Sequence, residues 1–194
     1  MFTLSTHTPY DYNYPVPVKF DGLEAEYSAS AWYADHFLNE FFLEASKQPW
    51  YENTLFVMVP DHSHSSYRNW EPYTKEYQHI PMLFFGPMVK NEYKGIHWKH
   101  LGSQYDITAT LLNQLRISSI EFHWSKNLLD PCSPRFAWYS TYNCIGWLRP
   151  NAYFVYDEFM KQYYKKEMEP SVEDSILREG HSYLQVLFQE YMDY

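Results

Sequence analysis

No apolar run in the 194 residues approaches the roughly 20 residues needed to cross a bilayer. The start, Met1 to Thr6, has no basic region followed by an apolar one, so no secretory signal is read there. There is no CxxC pair, which excludes a zinc ribbon. The two cysteines, Cys132 and Cys144, fit either a disulfide or two separate thiols. Only 6 glycines are present, and no Gly-rich phosphate loop is among them. No Gly-x-Ser-x-Gly elbow and no convincing Cys–His couple appear, so no nucleophile is evident. Positive charge is scarce: 15 basic against 24 acidic residues leave a net charge of −9. A general basic surface for nucleic acid is excluded, although one anionic group held by a metal is not.

What the chain has in excess is aromatic surface: 20 Tyr, 13 Phe and 7 Trp, 21% of all residues. Hydrophobic residues reach 45%, enough for a folded core rather than a disordered tail. Residues 9–22, rich in Pro, Tyr and Asp, read as an extended loop. Ser28 or Ser30 can cap a following helix, with Ala31, Ala34, Leu38, Phe41 and Ala45 on one face and Pro49 ending it. Residues 54–59 form a continuous apolar run that predicts a strand buried on both faces. A second run, 80–85, starts with a proline at position 81, which fits a strand start or an edge. Residues 105–115 predict a helix with Ile107, Leu111, Leu112 and Leu115 inward. This alternation is that of an α/β sheet with helices on its faces. Beyond residue 120 the pattern changes to short aromatic strands around Phe122–Trp124, Phe136–Tyr139 and Tyr153–Tyr156, a small antiparallel meander. Val172 to Tyr191 predict a final helix whose face of Val172, Ile176, Leu184, Leu187, Phe188 and Tyr191 packs back on that meander. The division expected is 1–120 for the α/β part and 121–194 for the small subdomain with its helix.

The strongest chemical candidate is Asp61 with His62, directly after the first buried strand. Ligand sites in open α/β sheets lie outside the carboxyl ends of the strands. A carboxylate beside an imidazole suits a divalent metal such as zinc or manganese better than calcium, which prefers oxygen ligands. His64 is a further ligand or a substrate contact. The same residues also fit an ordinary polar loop; the strand before them and the nearby His64 weigh against that. His7, read alone, is a solvated loop histidine, and Asp106 is a helix N-terminal carboxylate favoured by the dipole.

Several segments resemble, in order, the lipoteichoic acid synthase-like phosphoglycerol transferases and sulfatases of the alkaline-phosphatase superfamily. Thr3, Leu4, Ser5, His7, Pro9 and Tyr10 resemble a T-L-S-x-H-x-P-F/Y segment. Residues 53–62 look like the N-T-x-F-x-x-x-x-D-H strand and metal motif, and Ile80, Pro81 and Leu83 match I-P-x-L. Residues 103–112 resemble S-Q-x-D-I-x-x-T-L-L, and 125–129 fit the G/S-x-x-L-L that follows. The likeness runs over roughly residues 2–157.

The resemblance implies the C-terminal part of an alkaline-phosphatase-like α/β/α sandwich, with a small antiparallel β subdomain and a C-terminal helix. It implies one divalent metal, manganese first and zinc or calcium next, with Asp61 and His62 as two of its ligands. His7 then matches the histidine at the substrate's phosphate region, a catalytic and substrate-binding role, and His64 is a second substrate contact. The family nucleophile, a threonine or a modified Cys or Ser, has no counterpart here, so the chain is expected to be a fragment and inactive alone. Ser63 stands where the family has glycine. The substrate implied is an anionic ester, a phosphoglycerol lipid or a sulfated or phosphorylated glycan. The location implied is the extracytoplasmic face of a bacterial cell membrane or the periplasm, with membrane attachment only through an N-terminal anchor absent from these residues. Two alternatives are a glycan sulfatase and a non-catalytic half that serves as a binding module.

Overall fold

The computed structural model describes residues 3–64 and 70–194; Met1 and Phe2, which open the stretch read for a signal, lie outside them. The chain divides into two compact units, Met1–Trp70 with Ile80–Ile96, and Glu71–His79 with His97–Tyr194. This is a division by packing, whereas the boundary expected near residue 120 marks a change in sequence pattern.

The first unit is built on α1 (Ala25–Ala45), β1 (Phe56–Met58) and β2 (Leu83–Phe85). The helix begins before Ser28 and Ser30, with Glu24 at its N-cap and no side-chain cap. Ser30 is instead fully buried, and its hydroxyl donates to the Tyr27 carbonyl at 2.8 Å. A buried serine inside a helix satisfies itself in this way, so it does not serve as a cap. Tyr14 of the leading loop stacks on Trp32 and His36, and its hydroxyl meets His36 Nε2 at 3.2 Å.

The inner aromatic of the helix is Phe42, not Phe41. Phe42 packs against Phe56 of β1 and Phe85 of β2 at ring separations of 5.0 and 4.7 Å, while Phe41 is more than a third exposed. β1 and β2 pair antiparallel, with Val57 opposite Phe84. β1 is only partly buried rather than covered on both faces as its apolar run predicts, while β2, with Leu83 51% exposed and Phe85 38%, fits the edge position that Pro81 suggests. An apolar run reports affinity for a core, but the number of layers that cover it is decided elsewhere in the fold. After β2 the chain turns at Gly86, whose φ is +113° and where a Cβ would come within 2.9 Å of the Thr54 carbonyl oxygen.

The second unit centres on a meander, β3 (Ala137–Thr141), β4 (Cys144–Arg149), β5 (Ala152–Asp157) and β6 (Gln162–Glu167), in that spatial order. β4 and β5 are the central strands and carry the core: Trp147, Phe154 and Val155 have almost no exposed surface. Residues 122–124 form turns rather than a strand. Trp124 is held there by its indole N–H, which donates to Glu190 at 2.9 Å.

The final helix, α4 (Glu173–Asp193), lies on the sheet through Gly180, directly over Phe154 and Trp147. Leu184 is buried as expected, but Phe188 and Tyr191 are 54% and 76% exposed, because the helix runs on beyond the sheet it covers. A preceding helix, α3 (Asp106–Gln114), turns Asp106, Ala109 and Thr110 inward and leaves Leu115 67% exposed. Asp106 does more than favour a helix dipole: it is wholly buried and accepts from Ser103 N, Lys126 N and Lys126 Nζ at 2.8, 2.9 and 2.5 Å. A short helix, α2 (Lys75–Gln78), belongs to this unit too. The Lys75 amide donates to Tyr153 Oη at 2.9 Å, and Tyr139 Oη donates to the Tyr73 carbonyl at 2.6 Å.

Both cysteines are free thiols, Cys132 exposed and Cys144 buried. Among the described residues, no helix is long and apolar enough to cross a membrane.

Burial sets the response to alkali. The phenols of Tyr105, Tyr139 and Tyr153 are pushed above the ordinary 10.0, chiefly by loss of solvation. A folded-state pKa above the unfolded one means that the unfolded chain releases its protons first as pH rises. The contribution is therefore fully present below pH 10 and disappears above it. Lys126 acts in the opposite sense, its pKa lowered mainly by burial, but it is one group against three. Urea midpoints are expected to hold up to about pH 9 and to fall steeply above 10, together with a cooperative rise in tyrosinate absorbance. A midpoint unchanged from pH 9 to 11 would contradict the buried phenols.

Candidate functional site

Asp61 and His62 stand in the loop that follows β1, past Val59 and Pro60. The Asp61 carboxylate accepts from the His62 backbone N–H at 3.0 Å. His62 Nδ1 lies 2.7 Å from the Ser63 carbonyl. A carbonyl only accepts, so Nδ1 carries the proton and Nε2 keeps its lone pair. This is the usual way in which a histidine is readied for a metal. His62 Nε2 and Asp61 Oδ2 are 3.7 Å apart. Two donors about 2.1 Å from one ion at a tetrahedral angle are separated by roughly 3.4 Å, so the pair fits one edge of a coordination sphere. Both side chains are more than half exposed. Among the described residues, no three His, Cys, Asp or Glu side chains gather to complete such a site. The chain thus fits a divalent metal as a two-ligand edge and not as a whole cage. Ser63 has its hydroxyl buried without a hydrogen-bond partner among the described residues. That is a small local cost next to the two ligands.

His7 sits in a tight turn: its amide donates to the Leu4 carbonyl at 3.0 Å, and its own carbonyl accepts from Tyr10 N at 2.9 Å. Its Nδ1 lies 2.6 Å from the Thr8 carbonyl. The same reasoning assigns the Nδ1 proton, so Nε2 accepts in the neutral ring and donates only in the imidazolium.

His64 is more enclosed, with a side chain 28% exposed. Its ring lies face to face with Tyr27 of α1 at 3.7 Å and 6°. Its Nε2 is 3.9 Å from Glu24 Oε1. Tyr10 completes the group, edge-on to Tyr27 at 6.1 Å and to His64 at 6.3 Å. The Tyr27 phenol is held above its ordinary pKa by burial first, then by Glu24 and Tyr10.

Residues from three places therefore meet around His64: the first loop, the start of α1 and the loop after β1. Asp61 and His62 stand exposed in the same loop as His64, whereas the contacts of His7 are with its own turn, to Leu4, Thr8 and Tyr10. Glu24 and Tyr27 were not readable as site residues. Their approach to His64 is a tertiary contact between α1 and a loop some 40 positions on, with no spacing pattern to announce it. The signal available for Tyr10 was its place at the end of the first motif.

The sulfatase family model matches residues 1–117. Among solved structures, a protein in the alkaline phosphatase superfamily from Vibrio parahaemolyticus is similar with a TM-score of 0.71 at 19% identity. That match covers 96% of this chain and 48% of the other, so the chain spans about half the length of that protein. No curated protein matches. The likeness bears on the fold, a mixed α/β chain with antiparallel sheets and a C-terminal helix. A family match over well more than half of the 194 residues leads to one conclusion: the chain belongs to the sulfatase family.

Proposed function

We propose that this chain is part of a metal-dependent, sulfatase-like hydrolase or transferase that acts on phosphate or sulfate esters through a covalent intermediate. Phosphoglycerol transfer is the favoured branch and manganese the favoured metal, because imidazole beside carboxylate suits a borderline cation. The covalent nucleophile is not among these residues. The supporting observation is the His62 Nε2–Asp61 Oδ2 separation of 3.7 Å, with Nδ1 of His62 already occupied by the Ser63 carbonyl.

Asp61 and His62 would hold the metal; bound there, it lowers the pKa of an attacking hydroxyl and offsets charge on the ester oxygens. His7 provides Nε2 to the anionic group: as imidazolium it donates a hydrogen bond or a proton to an ester or leaving oxygen. His64, whose Nε2 lies 3.9 Å from Glu24 Oε1, would be the second substrate contact. The substrate proposed is a phosphoglycerol lipid or a sulfated or phosphorylated glycan. The place of action proposed is the outer face of a bacterial cell membrane or the periplasm.

Calorimetric titration with Mn²⁺ and Zn²⁺ tests the edge directly. Asp61→Ala is expected to weaken binding by roughly 100-fold, at the upper end of the usual effect of residues that only orient ligands. The melt should stay unchanged, since the side chain is exposed. Equal metal affinity in the wild type and the variant would sink the reading. Aryl phosphate and aryl sulfate turnover by this chain alone is expected to be nil.

A further inference from the structure

The geometry points to Tyr10 as a positioning residue: its backbone closes the turn that carries His7, while its ring braces His64. One residue thereby sets two imidazoles relative to each other. The role in catalysis rests on the ester-site reading above; the bracing itself does not.

Three observations carry this. Tyr10 has a φ of +60°, in the left-handed region, where a tyrosine is disfavoured and glycine or asparagine is at ease. Residues held in that region persist when the surroundings over-determine them, and they gather at functional sites. The turn alone does not need a side chain here, because the Tyr10 amide makes its bond to the His7 carbonyl whatever the side chain is. What the tyrosine adds is the ring, half-buried and edge-on to both Tyr27 and His64. His64 is then bounded by Tyr27 on one face, Tyr10 at its side and Glu24 near Nε2. The aromatic contacts need no Tyr10 hydroxyl, so phenylalanine should serve equally.

Three variants separate ring from backbone, read by the imidazole carbon-proton NMR signals of His7 and His64. Tyr10→Phe is expected to leave both histidines at their wild-type positions. Tyr10→Gly keeps the turn and removes the ring, so His64 signals move and His7 signals stay, while the melting temperature holds or rises as strain is relieved. Tyr10→Ala removes the ring and leaves a Cβ in a disfavoured conformation, so both move. The signals are compared only in variants that keep a cooperative melt, and Tyr10→Gly is the one least exposed to failure. His64 signals unchanged in Tyr10→Gly would overturn the brace.

A titration with inorganic phosphate in the presence of Zn²⁺ then reads its functional side. It is expected to shift His7 and His64 in the wild type and in Tyr10→Phe, with affinity about tenfold weaker in Tyr10→Gly, the usual size for a residue that orients another. Equal affinity in Tyr10→Gly and wild type would overturn the positioning role. A wild type in which phosphate shifts neither histidine would sink the ester-site reading and the catalytic role together, leaving the variant shifts to decide the brace.

Discussion

Asp106→Ala is expected to cost about 3–5 kcal/mol, read from urea unfolding at pH 7. The carboxylate has no exposed surface, and three donors converge on it: Ser103 N, Lys126 N and Lys126 Nζ. Removing it strands two backbone N–H groups and a lysine whose side chain is only 10% exposed. Burial already pulls the Lys126 pKa down, and Asp106 is what opposes that. The Phe136 face beneath the ammonium, 4.3 Å away, is a weak substitute for a carboxylate. Lys126→Met should cost clearly less, because Asp106 keeps its two backbone donors and loses only one partner. If the two variants were equally destabilised, the backbone bonds would contribute nothing and the account would fail. The coupling also ties α3 to the segment around residue 126, so Asp106→Ala should loosen hydrogen exchange at Ala109, whose amide donates to Ser125 Oγ at 2.9 Å.

Gly146→Ala is expected to cost about 3 kcal/mol, the upper end for overpacking. Gly146 sits at the middle of β4, directly opposite Tyr139 on β3. A Cβ there would overlap the Tyr139 ring. The ring has nowhere to go: its hydroxyl is bonded to the Tyr73 carbonyl at 2.6 Å and to Tyr153 Oη at 2.8 Å. Gly180→Ala is the informative contrast. Its Cβ would come within 2.6 Å of Phe154 and 2.9 Å of Trp147, both buried rings. Alanine in place of glycine gains about 1 kcal/mol of helix propensity, so the net loss should be smaller than at Gly146. A Gly146→Ala protein as stable as the wild type would show that Tyr139 swings aside, breaking both hydroxyl bonds without cost.

These two positions show why the sequence was only partly legible. The strand before Asp61 and His62, the final helix and the existence of a meander all follow from local pattern, and all are present. β4 was missed because Gly146 interrupts its apolar run, and the reason for that glycine is a ring on the neighbouring strand. β6, with Tyr163 flanked by Gln162, Tyr164 and two lysines, is an exposed edge whose composition resembles a loop. Helix faces were misplaced where the amphipathic stripe outruns its cover, as at Phe188 and Tyr191, or where a polar group is the buried one, as at Asp106, Thr110 and Ser30. Periodicity counts apolar residues and is blind to a buried acid that has found its donors. At the site, Asp61 and His62 are contiguous and could be read as a pair, whereas Glu24, Tyr27 and Tyr10 reach His64 from distant positions.

The stretch Glu71–His79 lies between β1 and β2 in the chain yet belongs to the unit of the C-terminal sheet. The polypeptide therefore leaves its first unit, returns and leaves again, and neither unit is a contiguous cassette. A gene cut at residue 97 would separate the Tyr139 hydroxyl from the Tyr73 carbonyl and Tyr153 from the Lys75 amide. Any graft or two-piece reassembly of this protein has to carry that short insertion along with the downstream half.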